Sequence, residues 1–202
     1  MKINTIISII IITIAILGGQ ASSSTPALAD KLPQDAIIYL GWSGNSLTFS
    51  GSMFGQLINE QGTKNILSVI HSACVKNLAG DADSREMFQA LWSMGSIAWK
   101  HPSAAVLLDI AVPHAPAGKM IHHEEDFYPQ AAMIIDLKND KEAFNVHLQK
   151  FLTRLGKNVK LTQITFGNVS YHSFDTPAGP CAIGFVGKIF FTSIGKGVPM
   201  KI

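Results

Sequence analysis

Four segments of the chain carry apolar residues at the three- and four-residue spacing that is typical of an amphipathic helix. This spacing predicts helices over residues 52–60, 63–80, 83–101 and 139–156. The second helix has the clearest apolar face, which is formed by Leu67, Ile70, Cys74 and Leu78. In the third helix Asp83 stands three residues before Glu86, a variant of the capping box that satisfies free N–H groups at a helix start.

Shorter runs of apolar, β-branched and aromatic residues predict strands. They lie at residues 36–42, 103–112, 131–137, 161–166, 169–174, 182–186 and 189–194. Gly167-Asn168 and Gly187-Lys188 separate the last four runs into two pairs, and a two-residue turn that begins with glycine suits a β-hairpin. The order of elements therefore predicts an α+β fold, with a mainly antiparallel sheet and with helices packed on one face.

An uncharged apolar run at residues 6–17 follows Lys2 near the start of the chain. Ala-Leu-Ala at residues 27–29 fits the small-x-small rule of signal peptidase and predicts cleavage before Asp30. The run is shorter than the roughly 20 apolar residues that span a bilayer. A cleaved signal peptide is therefore favoured over an uncleaved anchor, and either one predicts export.

The predicted signal segment, residues 1–29, leaves one α+β domain at residues 30–202 that is periplasmic, secreted or membrane-anchored. Of the 16 basic and 14 acidic residues in the chain, only Lys2 lies in the signal segment, so the domain is close to neutral. A nucleic-acid-binding domain needs a basic face against the phosphates, so we expect no such partner. Pro199 suits the first turn of a further helix, which predicts that the chain is truncated at its C terminus.

The chain has two cysteines, Cys74 and Cys181. Export makes a disulfide chemically possible. A disulfide also requires the two Cα atoms to lie within about 7 Å of each other, which depends on the fold. The sequence alone therefore leaves their pairing open.

The densest polar cluster is His-His-Glu-Glu-Asp at residues 122–126, inside a long predicted loop. His122, His123, Glu125 and Asp126 are candidate metal ligands, with His114 as a further one. A helical turn would place His122 and Glu125, three residues apart, on one face. The alternative is a solvated surface loop, because prolines flank the cluster and loops run over the surface.

Two other patterns resemble catalytic motifs but lack essential members. Ser43 lies in Gly-Trp-Ser-Gly-Asn, where a nucleophile elbow requires glycine at the position of Asn45. Gly-Phe-Val-Gly-Lys at residues 184–188 lacks the longer gap and the Ser or Thr of a phosphate-binding loop. We interpret both segments as turns and assign no catalytic residue.

Four stretches carry a resemblance to known proteins: LPQDAIIYLGW, HPSAAVLLDI, AAMIIDLKNDKEAFNVHLQKFLTRLG and GFVGKIFFTSIG. Together they resemble exported bacterial proteins of unknown function, found in planctomycete genomes, that share a Leu-Pro-x-Asp-Ala start. The resemblance covers most of residues 32–197. It implies a secreted or membrane-tethered domain, and it brings no catalytic signature with it.

These patterns predict an exported cell-envelope or secreted domain with a non-enzymatic structural or binding role and no cofactor. Its expected partner is a cell-envelope protein or glycan, and membrane contact is expected only through an uncleaved N-terminal segment. The alternative is a metal-binding or metal-dependent hydrolase module at residues 122–126, holding a divalent metal such as zinc. In that alternative the metal lowers the pKa of a bound water and a loop carboxylate accepts its proton.

Thermal melting of residues 30–202 separates the two alternatives. We expect the same melting temperature with EDTA and with added zinc, manganese or calcium. A metal that binds only the native state would add about 2.7 kcal/mol of stability at a free concentration of 100 times its Kd. An upward shift that is removed by His122→Ala with His123→Ala, but not by the control His147→Ala, would contradict the prediction and establish the metal site.

Overall fold

The computed structural model describes residues 27–111, 128–177, 179–195 and 197–198. Within these residues the chain forms an α+β fold with seven strands and five helices. The strands are β1 Ile38–Ser43, β2 Pro102–Ala111, β3 Tyr128–Asp136, β4 Thr162–Phe166, β5 Val169–Thr176, β6 Gly179–Val186 and β7 Ile189–Ile194. The helices are α1 Leu47–Gly51, α2 Met53–Asn59, α3 Gln61–Asn77, α4 Ala82–Ala98 and α5 Lys141–Leu155.

All seven strands belong to one antiparallel sheet, in the order β1-β2-β3-β7-β6-β5-β4. The last strand in the chain, β7, pairs with both β3 and β6 and so joins the two halves of the sheet. The two predicted hairpins are confirmed. Gly167 and Gly187 have φ angles of 59° and 58°, a left-handed conformation that costs glycine little because it has no Cβ.

One face of the sheet is packed against α4 and α5. The core on this face joins buried side chains of both helices to side chains of β3, β6 and β7. Its members are Met87, Ala90, Met94, Ile135, Leu137, Phe144, Leu148, Phe151, Leu152, Leu155, Ile183 and Phe190. The predicted α+β class and its antiparallel sheet are therefore confirmed. The predicted packing of helices on one face holds for α4 and α5, whereas α1–α3 supply no residue to this core. Residues 1–26 of the predicted signal segment lie outside the described residues.

The opposite face of the sheet is covered without a described α-helix. Leu32 and Val198 are buried there against residues of β2, β3, β6 and β7, and Leu28 packs at the margin. The Tyr39 hydroxyl of β1 donates a hydrogen bond to the carbonyl of Ala27. Burial raises the pKa of this hydroxyl, which therefore stays protonated as a donor. Cleavage before Asp30 would remove Leu28 and the Ala27 carbonyl from this face.

The start of α4 differs from the predicted capping box. The N-cap residue is Asp81, whose carboxylate accepts hydrogen bonds from the backbone N–H and the hydroxyl of Ser84. Asp83 and Glu86 bind cations of α5 and the residues after it instead. Asp81 lies two residues before Asp83 and its carboxylate can cap the helix equally well. The carboxylate of Asp83 is therefore available for ion pairs.

Ion pairs on the surface link α4 to the end of α5. The Asp83 carboxylate lies 2.9 Å from Nη1 of Arg154 and 2.8 Å from Nζ of Lys157. Nε of Arg154 donates to Glu86 at 2.7 Å, and its Nη2 contacts the same carboxylate. The hydrogen bond from Lys157 lowers the pKa of Asp83, with smaller contributions from the charges of Lys157 and Arg154.

The lowered pKa of Asp83 predicts a pH dependence of stability. Because the folded-state pKa lies below the unfolded value, the ion pairs stabilise the fold above the unfolded pKa and lose this effect as pH falls through the folded pKa. We expect Asp83→Asn to lower the melting temperature at neutral pH. The variant should approach the parent protein as pH falls below the ordinary pKa of aspartate and through the lower folded-state pKa of Asp83. A difference that is independent of pH would contradict the assignment to Asp83.

A second prediction concerns the segment before β1. Leu32→Ala should lower the free energy of unfolding by about 2–5 kcal/mol, because it leaves a cavity against the sheet. The neighbouring Lys31→Ala should change it by less than about 0.5 kcal/mol, since that side chain is exposed. Urea denaturation of the two variants measures both values, and equal losses would show that this segment is not part of the core.

Candidate binding surface

The predicted metal ligands belong to the connection between β2 and β3. His122, His123, Glu125 and Asp126 all lie outside the described residues, as does His114. The metal-binding alternative therefore stays a prediction. Within residues 27–111, 128–177, 179–195 and 197–198, no group of three or more His, Cys, Asp or Glu side chains is arranged to hold a metal ion.

His101 is the buried histidine of the helix-covered side. Its Nε2 lies 2.9 Å from Oδ2 of Asp140, which occupies the N-cap position of α5 without capping the helix. No local sequence pattern points to this pair, because 39 residues separate its members. The contact ties the residue before β2 to the start of α5.

An aromatic cluster lies beside this histidine, where β1 meets the end of α4. The rings of Trp42 and Trp99 stack with their centroids 4.5 Å apart, and Phe49 of α1 meets Trp42 edge to face at the same distance. Nε1 of Trp42 donates to the carbonyl oxygen of Trp99 at 2.9 Å. The cluster anchors the residues that lead into the helical region α1–α3.

The two cysteines do not form a disulfide with each other. Cys74 and Cys181 are both free and half-buried. Burial raises the pKa of the Cys181 thiol, and a protonated thiol is a poor nucleophile. Ser43 ends β1, at an edge of the sheet, and Gly44 and the following residues form the turn that the sequence predicted.

A cleft of about 390 Å³ lies on the sheet face opposite α4 and α5. Ile134 and Phe191 belong to its lining, as do Leu32 and Pro33 of the segment before β1. The carboxylate of Asp30 and the ammonium of Lys31, 2.9 Å apart, are part of the same lining. Its volume is at the lower end of small-molecule pockets.

Helix α3 exposes several apolar side chains. None of its residues is buried. Ile66 is 61% exposed, Val69 is 69% exposed and Ile70 is 47% exposed, and Ala73 is also exposed. These four residues follow the i, i+3, i+4, i+7 spacing of one helical face, and they are called the outer stripe below.

The outer stripe points away from the rest of the described residues. On the side that meets α4, His71 packs against Phe88 and Trp92 at ring-centroid distances of 5.7 and 5.0 Å. At about 3.6 residues per turn, His71 projects roughly 140° around the helix from Ile66. Only one side of α3 therefore touches α4, and the outer stripe is left without a partner among the described residues.

The two short helices before α3 also expose apolar side chains. Leu47 of α1 and Met53 of α2 are 94% and 88% exposed, and Phe54 and Leu57 are exposed as well. Neither helix contains a charged residue. Groups of exposed apolar side chains mark interaction sites more often than single ones do.

Hydrophobic periodicity predicted the position of α3 correctly but predicted only part of its buried face. Cys74 and Leu78 are half-buried as the predicted apolar face requires, whereas Leu67 and Ile70 of that face are exposed. Apolar residues occupy more than half of the circumference of this helix. A pattern that wide contains two overlapping faces, and only the position of α4 decides which of them is covered. The apolar surface of α3 is wider than one packing face, and this excess width was the feature of the sequence that could have predicted the outer stripe.

Comparison with family models, with curated proteins and with solved structures finds no match for this chain. No helix in the part of the chain that the structure describes has the length and apolar character needed to cross a membrane. The function of the chain is therefore inferred from its own surface and sequence.

Proposed function

We propose that the chain is an exported domain of the cell envelope with a non-enzymatic binding role. The observation that carries this proposal is the outer stripe of α3. When a partner covers an exposed apolar helix face, the free energy falls by about 25 cal/mol for each Å² of apolar surface removed from water. A role in binding another component of the envelope accounts for this surface.

The proposal also draws on the sequence. The apolar run at residues 6–17 and the Ala-Leu-Ala that follows it favour export. The near balance of charge favours a protein, glycan or lipid partner over a nucleic acid. The metal-dependent alternative at residues 122–126 has its own test in the response of the melt to metal.

Photo-crosslinking in the cells that produce the chain tests the proposal. A photo-reactive benzophenone amino acid replaces Val69 in the outer stripe or, as a control, Val146, an exposed valine of α5. We expect envelope components to be crosslinked from position 69 at several times the yield from position 146. Both positions are exposed, so neither change should alter the free energy of unfolding by more than about 0.5 kcal/mol.

Equal yields from the two positions would contradict a binding role for this surface. Crosslinks from position 69 to cytoplasmic components alone would contradict export. Mass analysis of the adducts separates protein, glycan and lipid partners.

A further inference from the structure

We propose that the outer stripe of α3 lies in the interface of an anionic phospholipid bilayer. This inference rests on the binding role proposed above and names its partner. The helix would lie parallel to the membrane plane, with Ile66, Val69, Ile70 and Ala73 between the headgroups. Helices with one apolar face and lysines on the remaining surface bind membranes in this orientation.

The dimensions of α3 suit a helix that lies on a bilayer. Its 17 residues span about 25 Å, and the exposed apolar side chains occupy its middle two turns. Because α4 holds the helix from the opposite side through His71, the outer stripe can enter the interface without unfolding of the domain. Leu47 and Met53, almost fully exposed in the uncharged helices α1 and α2, offer further side chains for the same surface.

The charges of α3 match an anionic surface. The helix contains two lysines, Lys64 and Lys76, and no carboxylate, and Glu60 directly precedes it. Lys76 lies two turns from Val69 on the same side of the helix, at the border of the outer stripe. Each lysine near an anionic bilayer strengthens binding by roughly fivefold, and long lysine side chains can reach the headgroups from the border of an apolar face.

A second copy of the chain is a less suitable partner for the outer stripe. In a parallel pair each Lys76, at the border of the stripe, would lie beside its own equivalent. Lys64 projects about 160° around the helix from Ile66, so it lies on the same side as His71 and outside such a pair. Four side chains also supply only part of the roughly 800 Å² per partner that a standard protein interface buries. A lipid surface needs neither a complementary shape nor acidic side chains.

The test measures where α3 lies, because residues 6–17 can by themselves hold the full chain on a bilayer. Cys74→Ser and Cys181→Ser first remove both native cysteines from the full chain. A single cysteine is then introduced by Val69→Cys or, as the control, by Val146→Cys. An environment-sensitive bimane label is attached to that cysteine. The chains are bound to vesicles of phosphatidylcholine, with or without phosphatidylglycerol. Circular dichroism and melting temperatures equal to those of the parent protein establish that both variants are folded.

We expect the emission at position 69 to shift to shorter wavelength on vesicles with phosphatidylglycerol and to be quenched by nitroxide-labelled lipid. The shift should be smaller on phosphatidylcholine alone and should decrease at high salt, since salt screens the lysines. Position 146 should show neither change. Lys64→Gln with Lys76→Gln should remove the preference for phosphatidylglycerol, and the matched control Lys150→Gln with Lys160→Gln should retain it.

Two results would overturn the inference. The first is a label at position 69 that behaves like the label at position 146. The second result combines two observations. The label at position 69 shifts to shorter wavelength but is not quenched by nitroxide lipid, and two unlabelled copies of the Val69→Cys variant form disulfide crosslinks equally with and without vesicles. This second result would assign the stripe to a second copy of the chain.

A further outcome separates this inference from the binding role on which it rests. Crosslinks in cells from position 69 to an envelope protein, with no lipid quenching, would overturn the lipid partner while leaving the proposed binding role in place.

Discussion

Burial of the central strands on both faces is the constraint on which the rest of the fold depends. The strands β3, β6 and β7 carry apolar side chains alternately to the two sides of the sheet. On one side Phe144 and Leu148 of α5 meet Phe190, and on the other Leu32 and Val198 meet Phe191. A sheet that is apolar on both faces must be covered twice, so the short segment before β1 covers one side as the helices cover the other.

The helical region α1–α3 stands outside this arrangement. It is attached where Trp42, Phe49 and Trp99 meet at the edge of the sheet, and along α4 through His71. Neither attachment covers the outer stripe, and α3 supplies no residue to either buried core. The core therefore does not require the apolar character of Ile66 and Val69, and a partner outside the fold gives a physical reason for it.

The elements near the core were the ones that sequence reasoning predicted best. The stripe of Phe144, Leu148 and Leu155 fills one face of α5, and the glycine turns at Gly167 and Gly187 determine the two hairpins. Local rules succeed at these places because the residues that decide the conformation are neighbours in sequence. The predicted cap of α4 was wrong by two residues, since two carboxylates, Asp81 and Asp83, could each have capped the helix and only the distant Arg154 and Lys157 distinguish them.

The sequence by itself determined the α+β class, the positions of most helices and strands, and the cluster at residues 122–126 as the candidate for metal chemistry. The tertiary structure decided the order of strands, the pairing of His101 with Asp140, and the side of α3 that stays exposed. Hydrophobic periodicity and turn formation depend on residues only a few positions apart, so both can be predicted from the sequence. Which of two apolar faces is covered depends on elements far apart in sequence, and only their packing determines it.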